Sequence, residues 1–245
     1  MPPESEGPTA IADPPLLLVA HGTRDPAGTE VIELLADAVR SRTGVAVAVS
    51  YVDVVGPTVA EALQQIPGPV VAVPAFLAAG YHVRHDLPAQ IQASRRDHEV
   101  VVTASLGPDP VLAEVMSRHL RAAGWQLGDR VVFAAAGSRD PRALADVSEA
   151  ASLLGQLIGA RRSLQPAYIT TARPRVSEVC FRTEPGHRPG VVAPYLLAPG
   201  LFHRQLRELA DGAIADPIGT DPRVADLIAR RYRAAYLQTR LADQR

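Results

Sequence analysis

Short apolar runs alternate with amphipathic segments along the chain, and the first such unit shows the pattern clearly. Leu16–Ala20 is apolar at every position, which is typical of a parallel strand buried on both faces. Asp25 and Pro26 then predict an N-cap followed by the first residue of a helix, and Gly44 is placed to end that helix. The predicted apolar face of the helix consists of Val31, Leu34, Leu35 and Ala38.

The same alternation continues through the first half of the chain. Further strands are predicted at 45–54, 70–76 and 99–104, and helices at 58–65, around 88–94 and after the Asp109-Pro110 step. Strands that alternate with helices predict an α/β fold, in which a mostly parallel sheet is flanked by helices. Ligands of such sheets bind beyond the carboxyl ends of the strands, so we expect the loops at those ends to share one rim.

Four segments of the chain recur in the same order, at offsets of 112 to 120 residues. The first two pairs are "LLLVAHGTRDP" (16–26) with "VVFAAAGSRDP" (131–141), and "YVDVVGPTVAEAL" (51–63) with "YITTARPRVSEVC" (168–180). The other two are "VVAVPAFLAAGYH" (70–82) with "GVVAPYLLAPGLFH" (190–203), and "SLGPDPVLAEVM" (105–116) with "PIGTDPRVADLI" (217–228). The chain is therefore predicted to contain two divergent copies of one unit.

The repeat predicts the domain layout. We expect a disordered tail at 1–13, an N-terminal lobe at 14–126 and a C-terminal degenerate lobe at 127–245, with the active cleft between the two lobes. The pattern leaves open whether the last predicted helix, 222–240, packs on its own half or crosses to the other.

Composition narrows the class of protein. The 245 residues are 47% hydrophobic and 21% charged, with a formal net charge of -1, so no strong global charge recruits nucleic acid or an anionic membrane. No apolar run is long enough to span a bilayer, and the acidic, Pro-rich N-terminus lacks the features of a secretory signal. The single cysteine, Cys180, excludes an intramolecular disulfide framework and a Cys-ligated cluster, and it fits a reducing compartment. We therefore expect a cytoplasmic protein, either a monomer or a homodimer.

The two copies differ at one chemically important position. His21 in the first turn corresponds to Ala136 in the second, although the glycine, the hydroxyl residue and the Asp-Pro cap occur in both. A histidine in a polar turn often bonds only to its own loop. The matching turn of the second copy lacks this histidine, so the turn does not need it to fold. A chemical role therefore explains His21 better than a structural role does.

A second histidine is predicted to reach the same rim. His82 follows Gly80, which allows a sharp turn after the third strand; the second copy has Phe202 opposite His82 and His203 one residue later. The alternative is that His82 is simply one of two histidines in a polar loop, the other being His85.

Carboxylates of two kinds accompany these histidines. Asp53 lies near the end of the second strand, where the second copy has Thr170, and either a solvated strand end or a functional carboxylate fits it. Glu61 and Glu178 recur on a helix in both copies, which indicates a solvated face or a shared structural contact rather than an active carboxylate. Two histidines and a carboxylate suit a divalent first-row metal, and imidazoles also accept protons near neutral pH.

The quoted segments "LLLVAHGTRDP" and "VPAFLAAGYHVRHDLP" resemble the sirohydrochlorin chelatases, the class II chelatases of the siroheme and cobalamin pathways. The resemblance covers almost the whole chain, because the long members of that family are tandem duplications of a half-length chelatase. It implies a lyase that inserts a divalent metal into sirohydrochlorin without ATP. Iron for siroheme is the leading expectation, and cobalt for cobalamin is the alternative. The metal is then a substrate, and no permanent cofactor is expected.

The resemblance also implies residue roles. His21 and His82 would be the catalytic histidines and, with Asp53, the metal ligands, although many relatives carry a Glu at the position of Asp53. Ala136 and Phe202 stand where the second copy would need histidines, so one site per chain is expected, in the first half. Rim residues that could pair with the substrate carboxylates are Arg24, Arg84, His85, Arg139, His203 and Arg204.

Two other kinds of protein fit the residues. A non-catalytic carrier of metal or tetrapyrrole could use the same two-lobed scaffold. A hydrolase could use the two histidines on a bound zinc. Neither a Walker loop nor a dinucleotide fingerprint is present, and "HGT" is not a serine-nucleophile elbow.

Overall fold

A computed structural model describes residues 13–180, 190–210 and 212–242 of the chain. The predicted tail at 1–13 lies outside the described residues except for Asp13, whose Oδ1 accepts a hydrogen bond of 2.5 Å from the hydroxyl of Tyr236. Within the described ranges, none of the helices has the length and apolar character needed to cross a bilayer.

The first half of the chain forms a four-stranded sheet with helices on both faces. Its strands are β1 (Leu16–Ala20), β2 (Val47–Tyr51), β3 (Val70–Pro74) and β4 (Val100–Val102). Its helices are α1 (Pro26–Thr43), α2 (Val59–Gln65), α3 (Leu87–Ala93) and α4 (Pro110–Ala122). The strand order is β2-β1-β3-β4, and every pair is parallel. One π-helical turn, His82–Asp86, leads directly into α3.

The second half repeats this plan on a smaller scale. Its elements are β5 (Val131–Ala135), α5 (Pro141–Leu157), β6 (Pro166–Tyr168), α6 (Val176–Cys180), β7 (Val191–Tyr195), α7 (Leu201–Leu209) and α8 (Pro222–Ala242). The strands pair in parallel in the order β6-β5-β7, so the first strand of the repeat again lies between the second and the third. An isolated parallel bridge from Val192 to Ile214 extends the sheet on the side of β7. The predicted α/β fold with two parallel sheets is confirmed.

Local signals place most helix boundaries correctly. Asp25 caps α1 by accepting from the N–H of Ala27, and Gly44 ends the helix at φ 74°. The predicted apolar face of α1 is wrong at Leu34, which is 48% exposed. The buried positions are Gly28, Ile32, Leu35, Ala36 and Val39. The buried face of α1 differs from the predicted one because α1 packs against α8 as well as against its own sheet.

The two halves exchange their last helices. Helix α8 packs against α1 and β3 of the first half, whereas α4 packs against α5 and β7 of the second. The last helix, α8, therefore crosses from the second half to pack on the first. The two sequence copies are therefore not independent bodies, because the sheet of each is covered by a helix from the other.

Charged residues join the exchanged helices in a reciprocal way. Asp109, the N-cap of α4, accepts hydrogen bonds from Arg230 and Arg231 of α8 at 3.1 and 3.2 Å. Asp221, directly before α8, accepts one of 2.8 Å from Arg118 of α4. Each helix start is thus bound by arginine from the other helix, as expected for two copies related by an approximate two-fold axis.

Candidate active site

A cleft of about 1140 Å³ lies between the halves, at the carboxyl ends of the strands. The loops after β1 and β3 form one wall, and the loops after β5 and β7 form the other. This is the edge at which parallel α/β sheets bind ligands. At its edge, the hydroxyl of Tyr195 donates a hydrogen bond of 2.7 Å to the carbonyl of Leu77 and so ties the second half to the first. Burial raises the pKa of Tyr195, so the hydroxyl stays protonated as this donor.

His21 is the first residue after β1 and lines the cleft. Its carbonyl accepts a hydrogen bond of 3.0 Å from the N–H of Asp53, and its Nδ1 lies 2.9 Å from the carbonyl of Gly22. Gly22 has φ 99°, and a Cβ on it would lie 2.0 Å from the carbonyl oxygen of Asp53. Only glycine allows this close approach of the two loops, which sets the position of His21.

His82 begins the π-helical turn after β3 and faces His21. The two Nε2 atoms are 3.1 Å apart, and the rings are nearly perpendicular, at 89°. The Nδ1 of His82 lies 2.6 Å from Oδ2 of Asp86, at the other end of the same turn. The structure therefore brings together the two histidines that the sequence singled out, and it adds a carboxylate behind one of them.

These contacts determine which ring nitrogens are free. The carbonyl of Gly22 and the carboxylate of Asp86 are both hydrogen-bond acceptors, so each Nδ1 carries a hydrogen. In the neutral form, His21 and His82 then direct their Nε2 lone pairs toward each other. Two nitrogens placed in this way can hold one cation between them, either a proton or a metal ion.

Asp53 does not join this pair. Its Oδ1 accepts a hydrogen bond of 2.7 Å from the N–H of Val54, and its side chain is exposed, whereas Val54 and not Asp53 lines the cleft. Within the described part of the chain, no group of three His, Cys, Asp or Glu side chains is arranged to hold a metal ion. The three-ligand set of His21, His82 and Asp53 is therefore not assembled here, because the short Asp side chain bonds back to its own loop.

The second half keeps the loop geometry without the chemistry. Gly137 has φ 105°, and a Cβ on it would lie 2.1 Å from the carbonyl oxygen of Thr170, as at Gly22. The N–H of Thr170 donates to the carbonyl of Ala136 at 2.8 Å, as Asp53 does to His21. Both Ala136 and Phe202 line the cleft. The wall facing the histidine pair is therefore largely apolar.

The predicted rim residues divide into two groups. Arg24 is exposed, lines the cleft and has no ion pair among the residues that the structure describes. Arg204 also lines the cleft, and it pairs with Asp25 across the halves. His85 stacks on Tyr81 with centroids 4.7 Å apart and does not line the cleft. Arg84, also outside the lining, lies 3.7 Å from Asp140.

Arg139 and His203 are not placed as their predicted contact with substrate carboxylates requires. Arg139 is exposed and is not part of the cleft lining. His203 belongs to the wall but is only 6% exposed, and its Nε2 is buried without a hydrogen-bond partner. Burial, with the charge of Arg207 nearby, lowers the pKa of His203, so its imidazole is neutral near pH 7. A buried neutral histidine is not suited to pairing with a substrate carboxylate.

Glu61 and Glu178 have the structural role that the sequence favoured. Glu61 accepts from the N–H of Thr58 at 2.8 Å and completes a capping box at the start of α2. Glu178 accepts from the N–H of Arg175 at 2.8 Å, directly before α6. Both hydrogen bonds lower the pKa of the carboxyl group that accepts them.

Asp86 is the site residue that the sequence analysis missed. The i, i+4 spacing of His82 and Asp86 was visible, but it indicates a contact only if the segment is helical. The segment follows a glycine turn, which predicts a loop, and in a loop this spacing does not indicate a contact. Asp25 was recognised only as a helix cap, and its ion pair with Arg204 joins positions too distant for any local pattern to connect.

The chain is similar to a known protein family in sequence and to solved structures in fold. The CbiX family model matches residues 15–123 and again residues 130–235. A sirohydrochlorin cobaltochelatase of Methanothermobacter thermautotrophicus is 31% identical over 130 residues, which cover 44% of this chain and 91% of that protein. A sirohydrochlorin ferrochelatase of Bacillus subtilis is 24% identical over 238 residues, covering 89% and 90%. The solved structure of SirB from Bacillus subtilis with Fe³⁺ superposes with a TM-score of 0.79 at 22% identity, over 94% of this chain and 98% of that one, which shows a shared fold.

Proposed function

The chain belongs to the CbiX family, and we propose that it is a sirohydrochlorin chelatase, which inserts a divalent metal into sirohydrochlorin without ATP. The observation that supports this most directly is the His21–His82 pair, whose Nε2 atoms meet at 3.1 Å inside the cleft between the halves. The cytoplasmic location, and a monomeric or homodimeric state, belong to the same proposal.

The proposed reaction exchanges one cation for two protons. The free macrocycle carries two pyrrolic N–H groups, and insertion of M²⁺ releases both protons, so charge balances. His21 and His82 can bind the incoming ion through Nε2, replacing part of its water shell, and once the ion passes to the macrocycle each freed Nε2 can accept one pyrrolic proton. Imidazole suits both tasks because it is a borderline ligand and a base near neutral pH.

The surrounding residues hold this pair ready. The carbonyl of Gly22 and the carboxylate of Asp86 keep each Nδ1 protonated, so each Nε2 is available without a change of tautomer. The apolar wall that includes Ala136 and Phe202 suits one face of a macrocycle. Arg24 and Arg204 lie at the cleft, where they can pair with the substrate carboxylates.

Asp53 keeps a role only if its side chain leaves the N–H of Val54 and adopts another rotamer. Its main chain is hydrogen-bonded to His21, so a change of its side-chain rotamer would bring the carboxylate closer to the pair without moving the backbone. We propose it as a third ligand that is engaged when the metal arrives. Asp53→Asn then raises the KM for metal and leaves the binding of metal-free sirohydrochlorin unchanged.

Iron is the metal that we propose first, and cobalt is the second candidate. The nearly full-length relative from Bacillus subtilis is a ferrochelatase, whereas the more similar relative from Methanothermobacter is a cobaltochelatase. Two imidazoles accept either ion, so the donor set does not select between them. Comparing kcat/KM for Fe²⁺, Co²⁺ and Ni²⁺ under anaerobic conditions decides the preference.

The test of the function is turnover. Purified protein with sirohydrochlorin and Fe²⁺ or Co²⁺ should accelerate the absorbance change of the macrocycle, and His21→Ala and His82→Ala should each lower the rate by about a hundredfold or more. His98→Ala is the matched control, because that histidine is exposed and lies outside the cleft. A wild type that binds sirohydrochlorin without accelerating insertion would show a carrier, and unchanged rates in both site variants would show that His21 and His82 do not carry the catalysis.

A further inference from the structure

Two ion pairs connect the halves at matching positions of the repeat. Arg204 pairs with Asp25, the N-cap of α1, and Arg84 lies 3.7 Å from Asp140, the N-cap of α5. Each arginine belongs to the loop-and-helix segment after a third strand, and each aspartate to the turn after a first strand. The approximate two-fold relation of the copies thus produces the same contact twice.

Only one of these contacts faces the cleft. Asp25 and Arg204 both line it, whereas Arg84 and Asp140 do not. The side chain of Arg204 is 59% exposed, so the ion pair leaves much of that side chain accessible. Arg84 is more enclosed, at 33%, and its Nε also donates to the carbonyl of Ala79 at 2.7 Å.

We propose that Asp25 is an internal substitute for a substrate carboxylate: it pairs with Arg204 until the substrate binds, and a carboxylate of the tetrapyrrole then takes its place. The inference rests on the proposed function, which supplies a substrate with several carboxylates. It makes Arg204 a binding residue that is held in reserve, while Arg24 is available from the start.

Asp25 can release Arg204 without losing its other partners. Its Oδ1 accepts a hydrogen bond of 3.1 Å from the N–H of Ala27, and it stands at the positive end of the 18-residue helix α1. The carboxylate therefore stays hydrogen-bonded after the exchange. Only the ion pair with Arg204 is replaced, by one of the same kind.

The exchange favours ligands with several carboxylates. A ligand with a single carboxylate replaces Asp25 like for like on Arg204, and it also meets the negative charge of Asp25 nearby, so it gains little. A ligand with several carboxylates binds Arg24 in addition, which adds an interaction that no internal group supplies. Asp25 thus disfavours ligands that carry only one carboxylate.

The chain offers a matched pair of variants for the test. Asp25→Asn and Asp140→Asn each remove one ion pair between the halves, and asparagine keeps the N-cap in both. Binding of metal-free sirohydrochlorin, titrated anaerobically by absorbance, should be about fivefold tighter in Asp25→Asn and unchanged in Asp140→Asn. Arg204→Gln leaves the charge of Asp25 unpaired at the cleft and should bind about fivefold more weakly, and adding Asp25→Asn to it should recover less than the fivefold gain that Asp25→Asn gives in the wild type.

Each other outcome overturns the exchange. Equal affinity of Asp25→Asn and wild type shows that Asp25 does not compete. Weaker binding by Asp25→Asn shows that Asp25 positions Arg204. An equal gain in Asp140→Asn attributes the effect to loosened halves, which matched thermal unfolding of the two variants would reveal. A wild type that fails to bind sirohydrochlorin overturns the proposed function together with the exchange, whereas one that binds it and inserts metal leaves the function standing.

Discussion

The Nε2 atoms of His21 and His82 lie 3.1 Å apart, although 61 positions separate the residues in the chain. The contact depends on the order β2-β1-β3-β4, which places the end of β3 beside the end of β1. It depends equally on Asp86, whose Oδ2 lies 2.6 Å from Nδ1 of His82. The carboxylate orients one ring of the pair and keeps its Nε2 free.

Asp86→Asn should weaken the metal step and spare the binding of the macrocycle. The amide can present either its oxygen or its NH₂ group to Nδ1, so the tautomer of His82 is no longer determined. We expect kcat/KM for metal to fall by about 10- to 100-fold, with unchanged affinity for metal-free sirohydrochlorin. Steady-state assays at varied Fe²⁺ or Co²⁺ measure the first quantity, and anaerobic titration measures the second.

Asp97→Asn is the control for this variant, because Asp97 is exposed and lies outside the cleft. Asp86→Glu tests orientation separately from charge, since it keeps a carboxylate but changes its reach. If Asp86→Asn lowers the melting temperature, the kcat/KM for metal and the affinity for metal-free sirohydrochlorin together, then Asp86 acts on the fold and not on His82.

Asp109 should be important for the stability of the exchanged helices. Its side chain is only 10% exposed, and it accepts from Arg230, from Arg231 and from the N–H of Val111. Asp109→Ala leaves two arginines without their partner and removes a cap, so the free energy of unfolding should fall by about 3 kcal/mol. Denaturant unfolding measures the change.

Two comparisons separate the causes of that loss. Asp109→Asn keeps the cap and should lose less than Asp109→Ala. Asp37→Ala removes an exposed ion pair with Arg40 within α1 and should change stability by less than about 0.5 kcal/mol. Equal effects of Asp109→Ala and Asp37→Ala would contradict a structural role for the α4–α8 contact.

The first repeat alone, residues 14–126, should not fold as a stable monomer. Its β3 and α1 would lose α8, whose residues Val224, Ile228 and Tyr232 are buried in the intact chain. Its own α4 would lose the surface of the second half on which it packs. We expect a homodimer in which α4 of each copy covers the sheet of the other, and light scattering after size-exclusion chromatography measures the mass. A cooperatively folding monomer would show that the exchange is dispensable.

Stability should decrease at mildly acidic pH because of His203. The folded pKa of this buried imidazole lies below the unfolded value of about 6.5, so the unfolded chain takes up the proton first. The contribution of His203 is therefore fully present above about pH 6.5 and declines as the pH falls toward the folded pKa. Melting temperatures across this range should fall less steeply in His203→Gln than in the wild type. His98→Gln, at an exposed histidine, should follow the wild type.

Several parts of the structure could be predicted from short-range signals. Leu16–Ala20 is a strand over its predicted length, and the caps at Asp25 and Asp109 lie where the Asp-Pro steps indicated. These features depend on a few consecutive residues, so no distant contact alters them. The face of α1 was harder, because Leu34 fits a helical stripe but lies on the side that neither the sheet nor α8 covers.

The candidate site was predictable in part. His21 was found because Ala136 stands in the matching turn, which separates chemistry from folding within one chain. The substrate roles predicted for Arg84 and His203 depended on their place in rim loops, yet one side chain lies beside Asp140 and the other is buried. Side-chain direction decides such cases, and loop position does not specify it.

The sequence by itself determined the α/β class, the duplication, the helix starts and the choice of His21 and His82 as candidate site residues. Each of these depends on neighbouring residues or on a comparison of the two copies. Only the tertiary structure decided that α4 and α8 change places, that Asp86 supports His82 and that Asp25 holds Arg204. The helix exchange and the Asp25–Arg204 pair join distant segments, whose approach depends on how the two sheets pack. The contact of His82 with Asp86 is local, but it exists only because the loop after β3 winds into a helical turn.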